Sequence, residues 1–209
     1  RQKQVGVAAA EVPFSPLNPN TVGEEKKGAL VWVPLHGGWL ALQPRPGPGD
    51  VAKWAEAGAT RVVTLLRGNE PGAGNVESAC DAAGIVWNHA PLVGKRAAIS
   101  PCDSDVTSWQ WLQQWLPSIL QREERIVVHC AAGLHRTGAV AYWLFRSGGF
   151  CSASALLRVG KARPVTEAEL RKCQRKYRDQ PFWALVDECL PQDKPEGVAA
   201  MEDLRRHQA

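Results

Sequence analysis

The chain is 209 residues long, enough for one domain with a sizeable core and some peripheral extension. Hydrophobic residues at 44% and charged residues at 22% are ordinary for a globular protein, and no apolar run approaches the ~18 residues needed to cross a bilayer. Its 25 basic and 21 acidic side chains leave a net charge of +4, which suits an anionic substrate and does not by itself point to nucleic acid.

Residues 1–28 are rich in Pro, Asn, Gly and charge and read as an irregular lead-in. Residues 29–33 predict a first strand and 38–42 a second, with a turn between them. The prolines and glycines of 43–49 exclude helix and central strand. Asp50 then fits the N-cap of a short helix over 51–57, which Gly58 ends. A strand over 61–66 and a loop over 67–74 follow, with Asn75 as the cap of a helix over 76–83. Residues 85–89 predict another strand, and 91–104 a long loop. Apolar residues from Val106 to Leu120 keep close to a helical period, so 105–121 predicts a helix, kinked or split at Pro117. Trp109, Trp111 and Trp115 read as packing residues of that helix.

Farther on, Ser152 starts a helix over 153–159, and Thr166 to Glu169 has the form of a capping box opening a basic helix through 178. A further helix is expected from Pro181 to Leu190. The basic run Arg171, Lys172, Arg175, Lys176 and Arg178 reads first as a solvated helix face, and otherwise as a docking surface for an acidic partner or anionic lipid. The organisation expected is a lead-in over 1–28, one catalytic domain over 29–190 and a polar tail over 191–209. Strands alternating with helices point to a single α/β domain, a mostly parallel sheet flanked by helices. Six dispersed cysteines (80, 102, 130, 151, 173, 189), with no CxxC and no Cys/His metal spacing, fit a reducing, cytoplasmic compartment. Arg1 in place of an initiating Met reads as the start of a fragment, and a targeting segment ahead of it stays open.

The chain's chemistry gathers in residues 126–138, IVVHCAAGLHRTG. A short β-branched run reads as a buried strand, a cysteine ends it, and an apolar helix-forming run follows Gly138. A loop feeding a helix N-terminus presents several unpaired backbone N–H groups in one direction, a concave set that suits a tetrahedral dianion. Ala131, Ala132 and Gly133 are small enough to let that backbone close in, and Gly133 can take a positive φ. Arg136 comes round to the side of Cys130, where its planar fork can hold two phosphate oxygens. A cysteine beside an arginine and a helix N-terminus ionises more readily than a free one. The arrangement aims a thiolate at bound phosphate.

The same stretch resembles the signature HCxxGxxR[ST]G of the cysteine-dependent protein tyrosine phosphatases, matching at His129, Cys130, Gly133, Arg136, Thr137 and Gly138. The front half, with its Gly-Trp-Leu-Ala-Leu run from Gly38 and the strand from Arg61, is similar to small dual-specificity phosphatases, so the resemblance spans roughly residues 29–165. It implies hydrolysis of phosphate monoesters on a phosphorylated protein, through a phosphocysteine on Cys130. Arg136 and the amides of Ala131, Ala132, Gly133, Leu134 and His135 would hold the oxygens. His129 would brace the cysteine loop through a backbone hydrogen bond, and the Thr137 hydroxyl would bond the sulfur. No metal or organic cofactor is implied, nucleic acid is not an expected partner, and the oligomeric state stays open. A basic residue bracing the site is carried over to Arg163.

The family's general acid is an aspartate on the loop before the helix that precedes the signature strand, here 91–104. Many small members carry an acid after a Pro-hydrophobic pair, but Pro91-Leu92 is followed by Val93, which transfers no proton. Asp103 is the first choice; Asp105, Glu70 and His135 are the others. His36 and His89 read as structural. Lys95 and Arg96 read equally as exposed loop charges or as contacts for a second phosphate. The rival functions are a phosphoinositide or RNA 5′-phosphatase with the same chemistry, a low-activity phosphate-binding module, and a redox sensor built on Cys130. The variable loop positions Ala131, Ala132, Leu134 and His135 hold no lysine, which weighs mildly against a highly charged inositol headgroup.

Overall fold

A computed structural model describes residues 29–92 and 103–176, with the side chains of 103–105 and 174–176 excepted. The lead-in over 1–28, most of the 91–104 loop, the helix expected over 181–190 and the polar tail lie outside the described residues. In chain order the elements are β1 (Val33–Leu35), β2 (Gly38–Gln43), α1 (Asp50–Glu56), β3 (Arg61–Thr64), α2 (Ala73–Ala83), β4 (Val86–His89), α3 (Asp103–Leu120), β5 (Arg125–His129), α4 (His135–Ser147), α5 (Ser152–Ala162) and α6 (Pro164–Lys176).

The five strands form one sheet in the order β1-β2-β5-β3-β4, parallel except for the β1 hairpin edge. Side chains alternate across a strand, so each inner strand feeds two cores. Leu40, Leu42, Val63, Ile126 and Val128 pack toward α3, α4 and α5. Ala41, Val62 and Val127 pack toward α1 and α2 through Val51, Trp54, Val76 and Cys80. The α4 helix is buried almost all round from Arg136 to Arg146, the pattern of a helix inside its layer. Leu144 and Phe145 are fully buried there, each stabilising the fold by about 1.5–3 kcal/mol.

Several local expectations shift. The first strand occupies Val33–Leu35 rather than 29–33, because the hairpin pairs Val33 with Leu40 across a turn in which His36 and Gly37 have positive φ. The strand expected over 61–66 ends at Thr64, where its apolar run continues into the loop. Asp50 lies inside α1; Gly49 caps that helix, and Asp50 Oδ2 instead accepts from the Gly47 amide at 2.9 Å. Asn75 likewise lies inside α2, which Gly72 caps. Pro117 does not split α3, which runs unbroken over it. Trp109 is buried against Trp143 with ring centroids 6.1 Å apart, and Trp111 stacks on Trp115 at 4.5 Å, as packing residues do. Thr166 does not cap α6, which starts two residues earlier at Pro164; proline suits a first helical position, since its missing N–H would have no partner there.

Sheet order places the site. β5 lies between β2 and β3 and runs parallel to both. The loops leaving all three strands therefore emerge at one edge, with the loop after β5 in the middle.

Candidate active site

β5 ends at His129, and its alternation carries into the loop. His129 turns toward α1, its ring 6.1 Å from Trp54, while Cys130 turns to the α4 side and is 3% exposed. Gly133 has φ +67°, and a Cβ there would stand 2.6 Å from the Gln43 carbonyl oxygen. Only glycine lets the loop turn back this close to the chain leaving β2. Ala131 accepts a hydrogen bond from the Arg45 amide at 3.2 Å, so the loop is also pinned from that side. Leu134 precedes α4, whose first amides have no acceptor within the helix and point out from its N-terminus.

Arg136 is buried, and the structure explains how. Its Nη1 donates to the carbonyls of Leu65 and Leu92, both at 3.0 Å, and to Glu70 Oε1; its Nη2 donates to Glu70 Oε2 at 2.8 Å. Glu70 is fixed in turn by the Arg67 amide at 2.9 Å. A guanidinium has five N–H groups, so Nε–H and one Nη2 hydrogen remain for Cys130 and an anion. Hydrogen bonding from Arg136 is the main force holding the Glu70 carboxyl below the usual range, against the opposing pull of burial. Burial works against the Arg136 charge, but Glu70 and Cys130 outweigh it and raise its pKa. Glu70 is therefore corrected from candidate acid to clamp: a carboxylate held ionised by an arginine is poorly suited to give up a proton.

His129 is fully buried, and its Nε2 pairs with Thr64 Oγ1 at 2.8 Å. Trp87 Nε1 donates to the same hydroxyl at 2.8 Å, so β4, β3 and β5 share one polar link behind the cysteine. Burial pushes the imidazole down to about 4. The unfolded chain binds this proton near pH 6.5 and the folded chain only near 4, so stability falls as pH drops between those values, by roughly 3 kcal/mol in all. Urea melts at pH 7 and pH 4 should show that much of the acid loss missing in His129→Gln.

Thr137 is fully buried, and its hydroxyl has no hydrogen-bond partner, so the bond expected to the sulfur is not formed. His135 pairs with Glu169 of α6 at 2.9 Å, which ties this candidate acid to a carboxylate. His89 bonds the Leu66 carbonyl at 2.6 Å and stacks on Trp87, in keeping with a structural part. Asp103 and Asp105 open α3, and their side chains, like Val93, Lys95 and Arg96, lie outside the described residues.

The brace expected at Arg163 is present, and it has a partner that the sequence hid. Arg163 Nη1 donates to the carbonyls of Ala132 at 3.1 Å and Gly133 at 2.9 Å. Thr166 Oγ1 donates to the Gly133 carbonyl at 2.7 Å. These donors hold the loop backbone at Ala132 and Gly133. Thr166→Val should cost about 1 kcal/mol of stability and raise KM for a phosphate ester severalfold with a smaller change in kcat. Melting curves and steady-state kinetics on one preparation test both.

No protein-family model and no curated protein sequence matches the chain. Solved structures do. A kinase-associated phosphatase, with its catalytic-site cysteine substituted by serine, aligns at a TM-score of 0.50 and 16% identity, over 73% of this chain and 97% of that one. TpbA from P. aeruginosa in complex with pTyr aligns at 0.49 and 18%, over 76% and 90%. Human DUSP28 aligns at 0.46 and 21%, over 66% and 93%. The sheet order, the loop between β5 and α4 and the likeness to the kinase-associated phosphatase agree: the chain shares the fold of that structure.

Proposed function

We propose that this chain is a cysteine-dependent phosphatase of the dual-specificity type, hydrolysing phosphate monoesters on phosphorylated proteins at tyrosine and also at serine or threonine. The observation that carries this reading is Arg136 locked by Glu70 at the N-terminus of α4 beside buried Cys130. A protein that only bound phosphate would need no sulfur at that point.

The reaction has two steps. The Cys130 thiolate attacks phosphorus, the ester P–O bond breaks, and the leaving oxygen takes a proton from a carboxylic acid. Water then attacks the phosphocysteine and gives a proton to the same carboxylate; the S–P bond breaks, releasing phosphate and the thiolate. Arg136 and the amides of 131–136 stabilise the equatorial oxygens in both transition states. Thr137 offers its otherwise unpaired hydroxyl to the departing sulfur. Asp103, at the first residue of α3, remains the preferred acid and base, with Asp105 next. The neutral buried His129 is a brace and carries no proton in this scheme. The boundaries 29–190 for the catalytic domain belong to the same proposal, as does a reducing, cytoplasmic setting, which keeps Cys130 a thiol. No helix among the described residues is long and apolar enough to cross a membrane.

Asp103→Asn should lower kcat for a small aryl phosphate by about 100-fold and flatten one limb of its pH profile. An unchanged profile would move the acid to Asp105. No turnover in the wild type on any phosphate ester would favour the binding module instead.

A further inference from the structure

The sequence shows no local metal-binding spacing, yet the fold gathers three ligand types beside the phosphate loop. His135 opens α4, immediately before Arg136. Glu169 and Cys173 lie on α6, four residues apart and so on one helix face. The imidazole nitrogen, carboxylate oxygen and thiol sulfur all lie within 4.8 Å of one another. We propose that His135, Glu169 and Cys173 form a divalent-metal site, suited to zinc, that fastens the phosphate loop to α6.

The chemistry of the donors favours zinc. Nitrogen, oxygen and sulfur ligands at about 2.0–2.3 Å are its usual set, and three protein ligands leave a fourth position for water. A tetrahedral ion with such bonds holds its ligands roughly 3.3–3.8 Å apart, so the cluster needs only side-chain rotation. His135 Nε2 and Glu169 Oε1 already face each other at 2.9 Å; the ion takes the place of the hydrogen bond between them. Cys173 is 4% exposed, while His135 and Glu169 are 25% and 19% exposed at the side chain, so the ion enters from the surface and meets the sulfur last. Lys172 Nζ lies 3.5 Å from Glu169 Oε2, at the rim. Binding loses the Cys173 thiol proton to solvent: the S–H bond breaks and an S–Zn bond forms, with the sulfur keeping its electron pair. Neutral imidazole, carboxylate and thiolate then balance the charge of the ion.

The full chain carrying Cys130→Ser is the test protein, because among the described residues it removes the other cysteine placed to offer a thiolate to metal at this edge. Titration with zinc should give one equivalent of binding by calorimetry and a higher melting temperature. Cobalt(II) should give the thiolate-to-metal charge-transfer band and the intense visible bands of a tetrahedral site. Adding Cys173→Ser should abolish the charge-transfer band and weaken zinc by about 100-fold or more. Glu169→Gln lies nearer the surface, leaves the core untouched, and should weaken zinc by at least about tenfold, with the folded circular-dichroism spectrum retained. A cobalt complex with no thiolate band, or zinc affinity unchanged in Glu169→Gln, would overturn the site.

Discussion

Cys130→Ser should abolish turnover of a small aryl phosphate while leaving phosphate binding in place. The loss expected is on the order of 10⁴-fold or more in kcat, the scale seen when a covalent nucleophile is removed. A serine hydroxyl at the end of β5 is neither ionised at neutral pH nor a good leaving group from phosphorus, so both steps stall. Serine is slightly smaller than cysteine and fits the buried position. Gly133 keeps its turn, Arg136 its clamp and α4 its free amides. Calorimetry with inorganic phosphate should therefore give a Kd within about threefold of the wild type. Retention of more than about a tenth of the wild-type kcat would sink the covalent route.

Arg136→Lys should lower kcat/KM by about 10³-fold even though the charge is kept. The guanidinium has contacts on both nitrogens of its fork: Leu65, Leu92 and Glu70 hold Nη1, and Glu70 also holds Nη2. An ammonium on a flexible stem cannot reproduce that set and still keep N–H groups for Cys130 and the phosphate. Glu70→Gln leaves the arginine but loosens it, and should cost about tenfold in kcat/KM and about 2 kcal/mol of stability. If Glu70 acts through Arg136, the two substitutions are not additive. Kinetics on both single variants and the double variant decide this; a double variant losing the full product of the two factors would show that Glu70 acts independently.

The loop geometry was legible because it is local: Cys130, Gly133 and Arg136 stand within one strand–loop–helix unit, where spacing alone fixes mutual position. The clamp was not. Glu70 follows β3, and its meeting with Arg136 depends on β3 lying beside β5 in the sheet, which no short-range pattern encodes. A carboxylate in a βα loop fits an acid and a clamp equally well on paper. Only the partner separates the two. Thr166 misled for a related reason: its spacing to Glu169 imitates a cap, but Pro164 starts the helix earlier and frees the hydroxyl for Gly133. A proline just ahead of a capping pattern was the available signal. The strand expected over 29–33 slipped because Leu30, Val31 and Trp32 are as β-prone as the residues that pair, and the hairpin register chose Val33–Leu35.

The measurement that bears most directly on the covalent reading is rapid acid quenching during turnover of an aryl phosphate, followed by peptide mass analysis. One added phosphoryl group should appear on the peptide containing Cys130 and be absent from Cys130→Ser. Steady turnover with no phosphorylated peptide at any time point, or with the label on a residue other than Cys130, would contradict it.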